Sequence, residues 1–184
     1  MKDLVIYGTG GVGRQVQQIV ADINAERPTW NLLGFLDDDK SLHGKDIGDV
    51  TVLGDLNWLT ERPNCYVVAA VGSPKVRRAV VEKMERAGQE RFATIIHPDA
   101  WIGARTTIEA GCVVYPRVAL DTDVTIGAHV ILNKNCTIGH DTILKDYITV
   151  GPGVNIGGMV RIGTGCDIGI SSATIQSISI GPWS

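Results

Sequence analysis

The chain has 184 residues, 44% of them hydrophobic but only 5% aromatic, and a formal net charge of -3. Lys and Arg form no cluster, which argues against nucleic acid or an anionic membrane as partner and points to small substrates. No apolar run reaches about 18 residues, and MKDLVIYGTG passes straight into a strand and a glycine turn instead of a signal peptide, so a cytoplasmic location is expected.

Residues 4–7 form an apolar strand, followed by the turn G-x-G-x-x-G at Gly8, Gly10 and Gly13. The helix that follows carries Val16, Ile19, Val20 and Ile23 on one face. A second strand, 32–36, ends in Asp37, Asp38 and Asp39, where folds of this kind set a carboxylate against a ribose hydroxyl. Val52-Leu53-Gly54-Asp55 leads into a short helix, and strand 66–71 ends at Gly72. Ser73 then suits the N-cap of another helix, with Pro74 in its first turn and Val76, Ala79, Val80, Met84 and Ala87 as its apolar stripe. Residues 92–96 read as the fourth and last strand of a small parallel sheet.

Residues 1–95 thus predict a small Rossmann-like βαβ nucleotide-binding domain, with Gly10, Gly11, Asp37 and Gly72 at the carboxyl ends of strands. An NAD domain needs two βαβαβ halves, and this stretch supplies little more than one. A mononucleotide or nucleotide-sugar therefore fits better, its phosphate on backbone amides at the start of the first helix. Glycines that serve only a tight turn are the alternative that the residues leave open.

From Ile96 onward an aliphatic residue returns at every sixth position, through Ile102, Ile108, Val114 and so on to Ile180, and of fifteen such slots only Thr174 departs. Helices repeat every ~3.6 residues and strands every two, so this period belongs to a coil. The expected fold of residues 96–184 is a left-handed parallel β-helix of hexapeptide repeats, giving an α/β plus β chain. Three hexads make a coil, and coils stack at about 4.7–4.9 Å. The aliphatic slot fills the prism, the small residue four places later, such as Cys112, Val124 or Cys136, takes a second inward position, and the glycine after the slot is expected to relieve a tight corner.

Cys65, Cys112, Cys136 and Cys166 lack C-x-x-C spacing, and three of them fall on the small inward slot, as reduced core residues do. His97, before Pro98, reads as a structural corner residue, and His43 as a solvated loop residue. His129 and Asn135 sit on outward positions without assigned chemistry. His140 also points outward, and Asp141 follows it. A His beside a carboxylate is oriented and made more basic, as a general base near neutral pH requires. Spacing alone favours an exposed structural pair over catalysis. A zinc site of carbonic-anhydrase type needs three His, and no such set is present, so no metal is expected.

The segments IYGTGGVGRQV, FLDDD, AVGSPKVRR, IIHPDAWIG, LNKNCTIGHD, VGPGVNIGG and VRIGTGCDIGISS, in this order, resemble bacterial sugar O- and N-acyltransferases of the sialic-acid O-acetyltransferase type. That family includes UDP-4-amino-sugar N-acetyltransferases, and the resemblance covers practically the whole chain. It implies transfer of an acetyl group from acetyl-CoA to an amine or hydroxyl of a nucleotide-linked sugar, in a homotrimer whose thioester cleft lies between neighbouring coils. By the same likeness His140 is the general base, Asp141 raises its basicity, and Gly158, Ile170 and Thr149 meet the CoA. The substrate nucleotide meets Gly10, Gly11, Val12, Asp37, Asp38 and Gly72, with Lys75 nearby. Val12 stands where relatives commonly carry His, and Thr149 where many have a second His. Relatives also continue for about one more coil and a cap beyond SIGPWS. That difference sets a catalytically impaired nucleotide-sugar-binding protein of the same fold as the alternative expectation.

Overall fold

In the computed structural model, which describes residues 1–184, four parallel strands form the N-terminal sheet. They are β1 (Lys2–Tyr7), β2 (Trp30–Leu36), β4 (Val50–Gly54) and β5 (Tyr66–Ala69), in the spatial order β4, β2, β1, β5. A short β3 (Asp46–Ile47) pairs antiparallel with β4 at the edge. Helices α1 (Gly11–Glu26), α2 (Leu56–Thr60) and α3 (Pro74–Arg86) connect them. Strand alternation sends Leu4 and Ile6 into the cluster of Val16 and Ile19 from α1, and Val5 and Tyr7 into that of Met84 from α3. Because β2 lies on one side of β1 and β5 on the other, the winding reverses there. In open α/β sheets ligands bind at such a point, in the crevice outside the carboxyl ends of the two strands.

Two expectations need correction. The fourth parallel strand is β4, and residues 92–96 instead join the two domains. Phe92 bridges to Val67, after which β6 (Ile95–Ile96) pairs with Val113–Val114 as the first rung of the prism. The buried face of α3 is also rotated from the apolar stripe: Pro74, Arg77, Val81 and Met84 are inside, while Val76 is 52% exposed. A charged residue occupies a position that hydrophobic periodicity assigns to solvent.

The prism has three ladders of two-residue parallel strands, each pairing 18 residues onward: Ile95 with Val113, Trp101 with Ala119, Thr107 with Thr125. Slot residues from Val114 to Ile162 are buried, each side chain contributing about 1.5–3 kcal/mol by leaving water. At Thr174, the slot without an aliphatic side chain, the ladder shrinks to an isolated bridge, and the Thr174 hydroxyl accepts from Gly157 N–H at 3.1 Å. The glycines play a different part from the one expected. Left-handed backbone falls three residues after the slot, largely on non-glycine residues such as Arg117, Asp141 and Tyr147. The glycine directly after the slot is required by close approach instead: a Cβ at Gly103 would lie 2.6 Å from the Asp121 carbonyl carbon of the next coil.

The N-terminal domain covers one face of the prism and both of its edges. At one edge the Tyr115 hydroxyl donates to Gln15 Oε1, and His97 Nε2 meets Asp22 at 3.2 Å. At the other, Arg77 inserts beside His129 and Tyr147. His129, expected on an outward position, is therefore only 4% exposed: it does leave the prism, but the docked domain covers it. His43 is likewise engaged, its Nε2 lying 2.8 Å from the Asp37 carbonyl oxygen. The four cysteines are buried and free. No helix is long and apolar enough to cross a membrane.

Candidate active site

The crevice between β1 and β5 gathers Gly10, Gly11, Val12 and Gly72. Val12 adjoins Gly72 closely, since a Cβ on the glycine would sit 3.4 Å from Val12 Cγ2. Gly13 has no room for a side chain, because its Cα packs on the Gly8 carbonyl and so seats α1 tightly against β1. The two helices that begin at this crevice have uncapped N-termini: neither Gly10 before α1 nor Ser73 before α3 supplies a side-chain cap. Ser73 thus holds the expected position without making the expected bond. Away from the crevice, α2 is capped by Asp55. Unpaired N–H groups and two helix dipoles therefore point where an anion can bind.

Asp37 is committed to the loop. Its Oδ2 accepts from Thr9 N–H at 3.0 Å and from the Thr9 hydroxyl at 2.7 Å, and its Oδ1 accepts from Asp39 N–H. Asp38 pairs with Lys83 of α3 at 3.0 Å. Thr9, which the sequence reading passed over as the variable residue of the glycine turn, is the partner that fixes Asp37. Lys75 lies apart on α3, lining an open groove with Arg78, Glu82 and Trp183.

His140 and Asp141 stand on the prism corner 139–142, across from the face that the N-terminal domain covers. Asp141 takes the left-handed conformation, φ 59°, and its Oδ2 lies 2.8 Å from His140 Nδ1. With Asp141 ionised, that contact assigns the ring proton to Nδ1 and leaves the Nε2 lone pair free. The Asp141 hydrogen bond holds the His140 pKa above its ordinary value, with further support from the charges of Asp141, Asp121 and Asp123. Nε2 rests directly over Gly158 on the next coil, where a Cβ would come within 2.7 Å. The Gly158 N–H meets no acceptor within the chain. An exposed base with a fixed tautomer, beside a free backbone donor, has what attack on a carbonyl requires.

Of the residues expected at the cofactor, only Gly158 shares this corner. Ile170 lies on a different corner and is 74% exposed. Thr149 faces the N-terminal domain, donating to the Gly72 carbonyl at 2.7 Å. One copy of the chain consequently keeps the crevice and His140 on opposite sides of the prism.

A Rossmann-like domain docked on a left-handed β-helix is an architecture that this chain shares with solved acetyltransferases. Residues 3–84 match the family described as the PglD N-terminal domain. UDP-N-acetylbacillosamine N-acetyltransferase of Bacillus subtilis (strain 168) is 32% identical over 62% of this chain and 51% of its own length. GDP-perosamine N-acetyltransferase of Escherichia coli O157:H7 is 31% identical over 66% of this chain and 55% of its own length. The matched stretch thus spans about half the length of these curated relatives. The acetyltransferase domain of PglB from Neisseria gonorrhoeae FA1090, solved in complex with acetyl coenzyme A, superposes with a TM-score of 0.88 at 28% identity, over 98% of this chain and 85% of that one. In its N-terminal domain and in its whole fold, the chain is thus similar to nucleotide-sugar N-acetyltransferases.

Proposed function

We propose that the protein transfers an acetyl group from acetyl-CoA to an amine or hydroxyl of a nucleotide-linked sugar, with His140 as general base. The observation that carries this reading is the His140–Asp141 pair, with Nε2 free above Gly158. Nε2 takes the proton of the acceptor N–H or O–H as the lone pair of the acceptor nitrogen or oxygen attacks the thioester carbonyl. The negative charge that develops on the carbonyl oxygen is met by the Gly158 N–H. When the intermediate collapses, the C–S bond breaks, CoA leaves as thiolate, and the imidazolium returns a proton to it. Asp141 stabilises that imidazolium and keeps the ring oriented.

Acetyl-CoA supplies the activated acyl group, and Gly158 and Ile170 are its candidate contacts; Thr149, buried at the domain seam, is a weaker one. The uncapped starts of α1 and α3 support a nucleotide phosphate in the crevice, beside Gly10, Gly11, Val12 and Gly72, with Asp37 and Asp38 at its ribose side. Since crevice and base lie on opposite sides of one copy, a neighbouring copy must complete the site, which supports the homotrimer. The relatives named above act on UDP- and GDP-linked amino sugars, which favours an amine acceptor here.

The test is turnover of acetyl-CoA with UDP- and GDP-linked amino sugars by the wild type and by His140→Ala. Loss of turnover in the variant is expected, and equal activity would refute the assigned base. Calorimetric binding of the nucleotide-sugar without any binding of acetyl-CoA would favour the impaired binding protein instead.

A further inference from the structure

We propose that Arg77 is a positioning residue that fixes the height of the nucleotide crevice relative to the coil carrying His140. The proposal rests on the functional reading just given. Arg77 is fully buried on α3, one turn from the crevice, and its hydrogen bonds go to carbonyls and a hydroxyl, none to a carboxylate. Its hydrogen bonds go to two places. On the crevice side, Nη1 donates to the carbonyls of Val71 at 2.7 Å and Gly72 at 2.9 Å. On the prism side, Nε donates to the His129 carbonyl at 2.8 Å, and Nη2 to those of Tyr147 at 2.9 Å and Ile148 at 3.1 Å. The Thr149 hydroxyl closes the set, accepting from Nη1 at 3.0 Å and donating to the Gly72 carbonyl at 2.7 Å.

The two prism attachments are one circuit of the chain apart. Between His129 and Tyr147 the backbone passes once around the prism, and the second of the two corners it turns on the way is the one bearing His140. A single guanidinium therefore grips the crevice loop and both ends of that coil. Burial pulls its pKa down to about 10, so it still carries its charge at neutral pH. An apolar side chain would fill the same space without the desolvation cost, so the gain from Arg is directional: a rigid planar fork holds six acceptors in one geometry.

Copies related by rotation about an axis parallel to the prism keep every atom at its own height. The height of the crevice above the partner copy's base is then the height measured within one chain. A contact internal to each subunit sets the registry of a site shared between subunits.

The experiment uses the full chain, acetyl-CoA, and a UDP-4-amino sugar or GDP-perosamine as acceptor. Arg77→Lys keeps the charge without the fork, Arg77→Met keeps only the length, and Thr149→Val removes the hydroxyl link. The expected result is a folded oligomer by sedimentation, wild-type affinity for UDP or GDP by calorimetry, and a kcat lowered about 10²-fold in both Arg77 variants, because misplacement by about 1 Å is enough for such a loss. Thr149→Val should lose about tenfold by the same cause. A folded Arg77→Lys with wild-type kcat overturns the proposal, as does a loss of nucleotide affinity equal to the loss of kcat. If neither Arg77 variant folds, Thr149→Val decides, and wild-type kcat there overturns it. His140→Ala, assayed in parallel, separates the two levels: activity retained there defeats the functional reading, whereas an inactive His140→Ala beside a fully active Arg77→Lys defeats only this inference.

Discussion

His129 and His140 lie on corners of the same coil, eleven residues apart, yet their surroundings make them opposites. The His129 ring stacks on Tyr147 at 5.3 Å, meets Phe92 edge-on at 4.7 Å, and leaves Nδ1 without a partner. Burial, followed by the charge of Arg77, pushes its pKa down to about 4, so it is a neutral packing residue. The His140 side chain is 54% exposed, and the adjacent carboxylate raises its pKa. What separates them is the docked domain, which buries one corner and leaves the other open. A histidine's chemistry in this fold is decided by which corner it occupies.

The sharpest division comes from removing each ring. His140→Ala should lower kcat by about 10²–10⁴-fold while leaving the melting temperature unchanged. His129→Ala should do the reverse, costing about 2–4 kcal/mol in denaturant titration with kcat of the folded protein nearly intact. The glycines beneath the two rings extend the contrast. A methyl at Gly158 would press on Nε2 of His140, so Gly158→Ala should displace the base and lower kcat about tenfold without loss of stability. A methyl at Gly111 meets the enclosed His129 ring on a backbone at φ +76°, so Gly111→Ala should destabilise by about 3 kcal/mol.

Acidity acts on the two residues differently. Below its raised pKa His140 is protonated and cannot serve as the proposed base, so kcat should rise with pH through a limb above 6.5, and Asp141→Asn should move that limb to lower pH. For His129 the folded pKa is depressed, so stability is fully present above about pH 6.5 and falls toward pH 4 as the unfolded chain takes up the proton. The loss is about 3 kcal/mol, and His129→Phe should flatten this slope in melts across that range. The smallest effect belongs to Asp123→Asn. Asp123 is partly offset by its pair with Arg105, so its removal should shift the kcat limb only slightly to lower pH.

The period of six was legible because every coil repeats the same packing problem, and the sequence answers it with the same residue types. The His140–Asp141 pair was legible because its members are adjacent. Docking between domains left no such trace. Arg77 lies off the apolar stripe of α3, and contacts far along the chain, with the carbonyls of His129, Tyr147 and Ile148, explain why a charge is buried there. Residues 92–96 carry the β-pattern of either domain, and their pairing with Val113–Val114 is a choice between two competing edges. The role of the slot glycines was misplaced for a related reason: crowding by the next coil is a contact in space, whereas the left-handed turn is a property of single residues that Asp, Asn and Tyr also adopt here.

The ladder has a consequence for how the molecule is assembled. Each rung rests on the one 18 residues before it, and the lowest, Ile95–Ile96, is anchored to the finished sheet through Phe92. Winding can therefore start from the N-terminal domain as a template and advance as the chain leaves the ribosome, never waiting for a distant segment. In that order the turn bearing His140 would form before the rungs that stack on it.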